Sequence, residues 1–200
     1  MTRTVAALVA LGAAAVVSPS IAQQPGVHWP RSAAIVVAID RARAPADGPR
    51  LVERAMRTWT ETADGRLTLT AAKADDRAAI RVRFVSSEDV YGETRPSVDR
   101  RTGLITAADV VINADASGDV MTQQIVVYLT ALHELGHALG LPHTDDFADI
   151  MYSFRRPDDG ERYFSAYRRK LRSIADIGTA PATGLSTADV AALKRLYDRL

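Results

Sequence analysis

The chain reads as a single α/β domain on three observations. A short unbroken apolar run, Ala33 to Ile39, is followed by helical spacing and then by two alternating stretches. A long apolar helical pattern runs from Val120 to Leu139, and a last helical pattern closes the chain from Ser186 to Leu200. Strands interleaved with helices in this way predict a sheet with helices packed on it.

The elements follow in order. Ala33 to Ile39 (AAIVVAI) is rich in β-branched residues and stops at Asp40, as a buried strand does. Turn residues Pro45, Asp47, Gly48 and Pro49 lead into Leu51, Val52, Ala55, Met56 and Trp59 at helical spacing, which Asp64-Gly65 ends. Arg66 to Ala71 and Ala79 to Val85 alternate; in the second, Ile80, Val82 and Phe84 share one face. Ser86 to Gly103 is polar and turn-rich, and Ile105 to Ile112 is another strand. Beyond the long helix, Phe164, Tyr167, Leu171 and Ile174 recur at three- and four-residue steps and predict a helix over 162–174. Ser186 is a candidate N-cap of the final helix, with Asp189 three residues on.

Two hundred residues, 47% hydrophobic and 24% charged, suffice for one core. A formal charge of +1 gives no basis for nucleic acid or an anionic membrane as partner. With no cysteine, disulfides and thiolate metal sites are excluded, so any metal must be held by His, Asp or Glu.

Three of the four histidines fall within His133-Glu134-Leu135-Gly136-His137-Ala138-Leu139-Gly140-Leu141-Pro142-His143. Residues four apart stack on one helix face, so His133 and His137 can address one ion about 2.0–2.1 Å away. Gly140 can take the left-handed conformation that ends a helix, and Pro142 prevents its continuation, which returns His143 to the same ion. Three protein ligands leave the fourth zinc position to water. Glu134, one helix step from His133, can then deprotonate that water and later protonate a departing amine. A lone histidine is ordinarily a packed or solvated residue, but five fixed positions coincide by chance in roughly one chain in 10⁵.

This segment matches HExxHxxGxxH and resembles the metzincin metallopeptidases, whose second mark is a methionine turn. Asp149-Ile150-Met151-Tyr152 is similar to that turn, which implies that Met151 forms an apolar floor beneath the zinc ligands. The chain is most similar to the matrixin branch from about Ile35 to Leu196. Ala55 and Trp59, the Ile80 to Phe84 strand, Gly103 to Asn113 and Leu185 to Tyr197 occur in matrixin-like order. The resemblance implies a zincin-like α+β fold: a mixed five-stranded twisted sheet with an antiparallel edge strand, an active-site helix, the methionine turn and a C-terminal helix. It places that edge near Tyr91 to Pro96, where an extended peptide would pair. Two departures stand out. Ser153 follows Tyr152 where matrixins commonly have proline, and Tyr152 directly follows Met151, so no oxyanion role is assigned to it.

The resemblance also admits structural calcium, but Asp145, Asp146, Asp158 and Asp159 read equally as solvated acidic loops and are left unassigned. Arg155 to Arg172 is strongly basic; ordinarily this is a solvated helix face, and the sharper reading is a border of the substrate pocket that favours acidic peptides. His28 is assigned no function.

At the N-terminus Arg3 precedes an apolar and small run from Val5 to Val17, then Ser20-Ile21-Ala22, the pattern of a signal peptide cut after Ala22. The run is shorter than the about 20 residues a membrane span needs. The expected organisation is therefore a signal peptide over 1–22 and a catalytic domain over 23–200. That domain is expected to be a secreted or periplasmic monomer without stable membrane insertion. It would be a zinc (Zn2+) endopeptidase with His133, His137 and His143 on the metal and Glu134 as its catalytic group. Two rivals are a metal-binding scaffold, adhesin or inhibitor of the same fold without proteolysis, and an amidase acting on cell-wall material.

Overall fold

The computed structural model describes residues 27–73, 77–87 and 90–198, so the signal sequence expected over 1–22 lies outside the described residues. The strands are β1 (Ala33–Ile39), β2 (Leu67–Ala71), β3 (Ile80–Val85), β4 (Gly92–Val98) and β5 (Ile105–Asn113). The helices are α1 (Gly48–Ala63), α2 (Val120–Ala138), α3 (Asp159–Arg168) and α4 (Thr187–Asp198). One sheet runs in the order β2-β1-β3-β5-β4, parallel throughout except that β4 lies antiparallel to β5 at the edge. This is the mixed five-stranded sheet implied by the resemblance.

Alternation explains how the sheet is covered. Ile80, Val82 and Phe84 are buried while Arg81 and Arg83 are exposed, and Leu67 and Leu69 are buried while Thr68 and Thr70 are exposed. One face is therefore packed and the other is wet. Ile35, Val37, Val110 and Ile112 join the same core, with Leu51, Val52, Ala55 and Trp59 from α1 and the apolar residues of α2. Helix α2 is buried on nearly every side, because it contacts α1, β4, β5 and α3 together. At its N-terminus Asp119 accepts from the Thr122 N–H at 2.8 Å, and both Arg168 guanidinium Nη atoms clamp the same carboxylate at 2.6 and 2.8 Å.

Two elements differ from the residue-by-residue reading. The polar segment after Ser86 contains β4, an edge strand whose residues are exposed or only half-buried and which carries Pro96, as edge strands tolerate. The helix expected over 162–174 begins earlier, at Asp159, and stops at Arg168. Lys170 and Leu171 make tighter turns back to Tyr167 and Arg168, and Ile174–Asp176 forms a single 3₁₀ turn, so Leu171 and Ile174 still pack on the core. The capping pair at the final helix is present: the Asp189 N–H donates to Ser186 Oγ at 3.0 Å, and the Ser186 N–H to Asp189 Oδ2 at 2.8 Å. Among the described residues no helix is long and apolar enough to cross a membrane.

Candidate active site

The last turns of α2 carry His133 and His137 on one face, and the chain then reverses at Gly140, whose φ is +98°. A Cβ there would fall 2.1 Å from the Val27 carbonyl oxygen, so only glycine fits. The reversal brings His143 back: its Nε2 lies 3.0 Å from His137 Nε2 and 3.3 Å from His133 Nε2. The orientation of two rings is fixed from behind, since His133 Nδ1 donates to the Ile150 carbonyl at 2.6 Å and His137 Nδ1 to that of Leu141 at 2.8 Å. With the proton on Nδ1, each Nε2 presents a lone pair. Burial, opposed by the bond to Ile150, pushes the His133 pKa down to about 4. Burial, with the neighbouring imidazoles, pushes that of His137 down to about 3. That of His143 is lowered by burial and by nearby Arg155.

Neutral imidazoles with converging lone pairs repel unless a cation lies between them. A tetrahedral ion bonded at about 2.0–2.1 Å sets its ligand nitrogens about 3.3 Å apart, close to the separations found here. The donor set, three imidazoles and no thiolate, also suits zinc. Among the described residues this is the group of His, Asp or Glu side chains that comes together as a metal site would.

Met151 is only 2% exposed. Its sulfur packs against Gly136, where a Cβ would meet Met151 Sδ at 2.4 Å and Trp59 Cζ2 at 3.2 Å. The turn bearing it is held from α4: the Ile150 N–H donates to Asp189 Oδ2 at 2.9 Å and Ser186 Oγ to Asp149 Oδ1 at 2.7 Å. From α3, the Tyr163 hydroxyl donates to the Asp149 carbonyl at 3.0 Å. Ser153 has a visible reason for standing where proline is common: its N–H donates to the Thr144 carbonyl at 3.0 Å, a bond proline cannot make. The Tyr152 hydroxyl donates to Asp159 Oδ2 at 2.9 Å.

Glu134 is 5% exposed and sits between α2 and β4, where Thr94 Oγ1 donates to Glu134 Oε2 at 2.7 Å. Burial pushes its carboxyl up to about 7, opposed by the Thr94 hydroxyl and reinforced by Glu93. A divalent cation nearby acts the other way, favouring the carboxylate.

A model of the matrixin family, peptidase family M10, matches residues 36–165, from β1 through all three histidines to α3. The chain belongs to the matrixins. As a matrixin it is of the zinc metallopeptidase type, whose substrates are peptides, and its histidine triad fits the zinc that the family uses.

The matrixin frame leaves several residues to which the sequence assigned no role at the site. Gly92 and Thr94 touch Glu134 and Asp189 holds the turn at Ile150, each from an element far from the histidines in the chain. The four loop aspartates all have local partners. Asp145 pairs with Arg155, Asp146 Oδ1 accepts from the Ala148 N–H, Asp158 meets Arg162, and Asp159 takes the Arg155 and Arg156 N–H groups. The basic segment is tied down similarly, with Arg155, Arg162, Arg168 and Arg172 each paired to a carboxylate. His28 is buried, its Nδ1 against the Trp29 carbonyl at 2.7 Å.

Proposed function

We propose that the protein is a zinc-dependent endopeptidase in which His133, His137 and His143 hold the ion and Glu134 carries the proton. The convergence of three imidazoles, two of them tethered through Nδ1, with a buried glutamate next in sequence to the first, supports this reading above any other observation. Bound zinc supplies Lewis acidity that polarises the scissile carbonyl and makes water a nucleophile at neutral pH. Glu134 takes the proton of the attacking water and returns it to the departing amine nitrogen, so no covalent link to the chain forms. Held almost out of solvent, its carboxylate exchanges that proton with the reactants in preference to bulk water. Strand β4 is paired on one side only, by β5, and its free edge suits an extended peptide that binds through main-chain groups. The N-terminal pattern supports export, with the domain working as a monomer outside the cytoplasm.

The test is zymography of purified protein on casein and on cell-wall material, with a chelator, with zinc restored, and with Glu134→Gln. Casein cleavage is expected, abolished by the chelator, recovered with zinc, and reduced at least about 10²-fold in Glu134→Gln, which keeps its zinc. Cleavage of cell-wall material alone would make the protein an amidase. Zinc binding without hydrolysis of either would make it a scaffold.

A further inference from the structure

Gly92 and Thr94 are two residues apart on β4, so they face the same side, toward α2. Thr94 Oγ1 lies 2.7 Å from Glu134 Oε2 and 2.9 Å from the Glu134 carbonyl oxygen, so one hydroxyl touches both the head and the main chain of the same residue. Gly92 acts by what it lacks. A Cβ at that position would fall 2.7 Å from Glu134 Cγ, 2.8 Å from Glu134 Oε1 and 2.7 Å from Thr130 Cγ2. One carboxylate oxygen is thus held by a hydroxyl while the other lies in space that only a glycine leaves open.

A glutamate has three rotatable bonds and, on an exposed helix, explores many rotamers. Here the edge strand removes that choice. We propose that Thr94 is a positioning residue for Glu134, its hydroxyl fixing the carboxylate in one rotamer within the seat that Gly92 leaves. The proposal rests on the reading of Glu134 as the proton carrier. It also gives β4 a second role, because the strand whose free edge suits the peptide holds the group that reacts with it. Substrate and base then share one rigid element.

Thr94→Val keeps the branched shape and removes the hydroxyl, Thr94→Ser restores the hydroxyl, and Gly92→Ala fills the seat while leaving Thr94 intact. Each is compared with the full chain for kcat and KM on a fluorogenic peptide, zinc stoichiometry, melting temperature and the crystal structure. Thr94→Val is expected to lower kcat about 10- to 100-fold with KM within about threefold, zinc retained and melting temperature nearly unchanged. Thr94→Ser is expected to recover most of the lost kcat. Gly92→Ala is expected to match Thr94→Val, and crystals of both should show Glu134 in a different rotamer. A Thr94→Val protein with unaltered kcat and an unmoved Glu134 overturns the proposal. So does a loss of kcat that tracks lost zinc or lost stability, or one that Thr94→Ser does not repair. If the wild-type protein cleaves no peptide, the peptidase reading fails by itself, and the Glu134 rotamer in the Thr94→Val crystal still decides the positioning claim.

Discussion

Replacing Gly136 by alanine sets two effects of known size against each other. Alanine is the better helix former, and inside α2 it should stabilise by about 1 kcal/mol. Its Cβ, however, would land 2.4 Å from Met151 Sδ, where ordinary contact begins at 3.4 Å, so the sulfur must retreat by about 1 Å. Trp59 blocks the other side at 3.2 Å and is itself fully buried, tethered by its Nε1 donating to the Leu132 carbonyl at 2.8 Å. Overpacking of this kind costs about 1–3 kcal/mol, which exceeds the propensity gain. We expect a net loss of about 1 kcal/mol and a melting temperature lower by about 2–4 °C. Zinc affinity should also fall, since Met151 is next in the chain to Ile150, whose carbonyl orients the His133 ring. Calorimetry of the zinc-free protein and a competitive zinc titration measure the two effects. The decisive control is Gly136→Ala in a Met151→Ala background. There the obstructing sulfur is gone, and the alanine should become stabilising by up to about 1 kcal/mol. If Gly136→Ala alone raises the melting temperature, or its sign is the same in both backgrounds, the proposed contact between helix and methionine turn is wrong.

Three further outcomes are expected. Zinc at 100 times its dissociation constant should stabilise the folded chain by about 2.7 kcal/mol, read as a rise in melting temperature that a chelator reverses; the absence of such a rise would count against the triad as a metal site. Gly140→Ala meets both a φ of +98° and the Val27 carbonyl at 2.1 Å, so it should destabilise strongly and abolish zinc retention, measured by denaturation and elemental analysis. Burial raises the Asp189 carboxyl above its ordinary value of 3.8, so its contribution to stability is fully present below that value and is lost as pH rises through the folded pKa. Asp189→Asn keeps an acceptor for the Ile150 and Ser186 N–H groups and removes that titration. Its stability relative to wild type should therefore improve between pH 4 and pH 7 in urea titrations, and a constant difference would refute the assignment.

What the sequence disclosed and what it withheld divide along physical lines. Strands β1, β2, β3 and β5 and helices α1, α2 and α4 are legible because their burial is periodic: Ile80, Val82 and Phe84 alternate, and Leu51, Ala55 and Trp59 stack. Strand β4 has no fully buried residue, so its composition resembles a loop, and only the family resemblance located it. Leu171 and Ile174 keep helical spacing without being helical, since a turn and a 3₁₀ segment bring them to the core just as well. The three histidines and Glu134 stand together in the sequence because one helix and one reversal build that part of the site. Thr94 and Asp189 lie 40 and 55 residues from Glu134 and come near only through sheet pairing and helix docking, which no local pattern encodes.

The last turn of α2 leaves carbonyls that the helix cannot satisfy, and two aromatic side chains complete them. Trp29 Nε1 donates to the Ala138 carbonyl at 2.8 Å and the Tyr197 hydroxyl to that of Leu139 at 2.9 Å. These partners lie 109 and 58 residues along the chain from the carbonyls they bind. The reversal that returns His143 therefore depends on segments remote from it, and Trp29→Phe or Tyr197→Phe should loosen that turn before either disturbs the sheet.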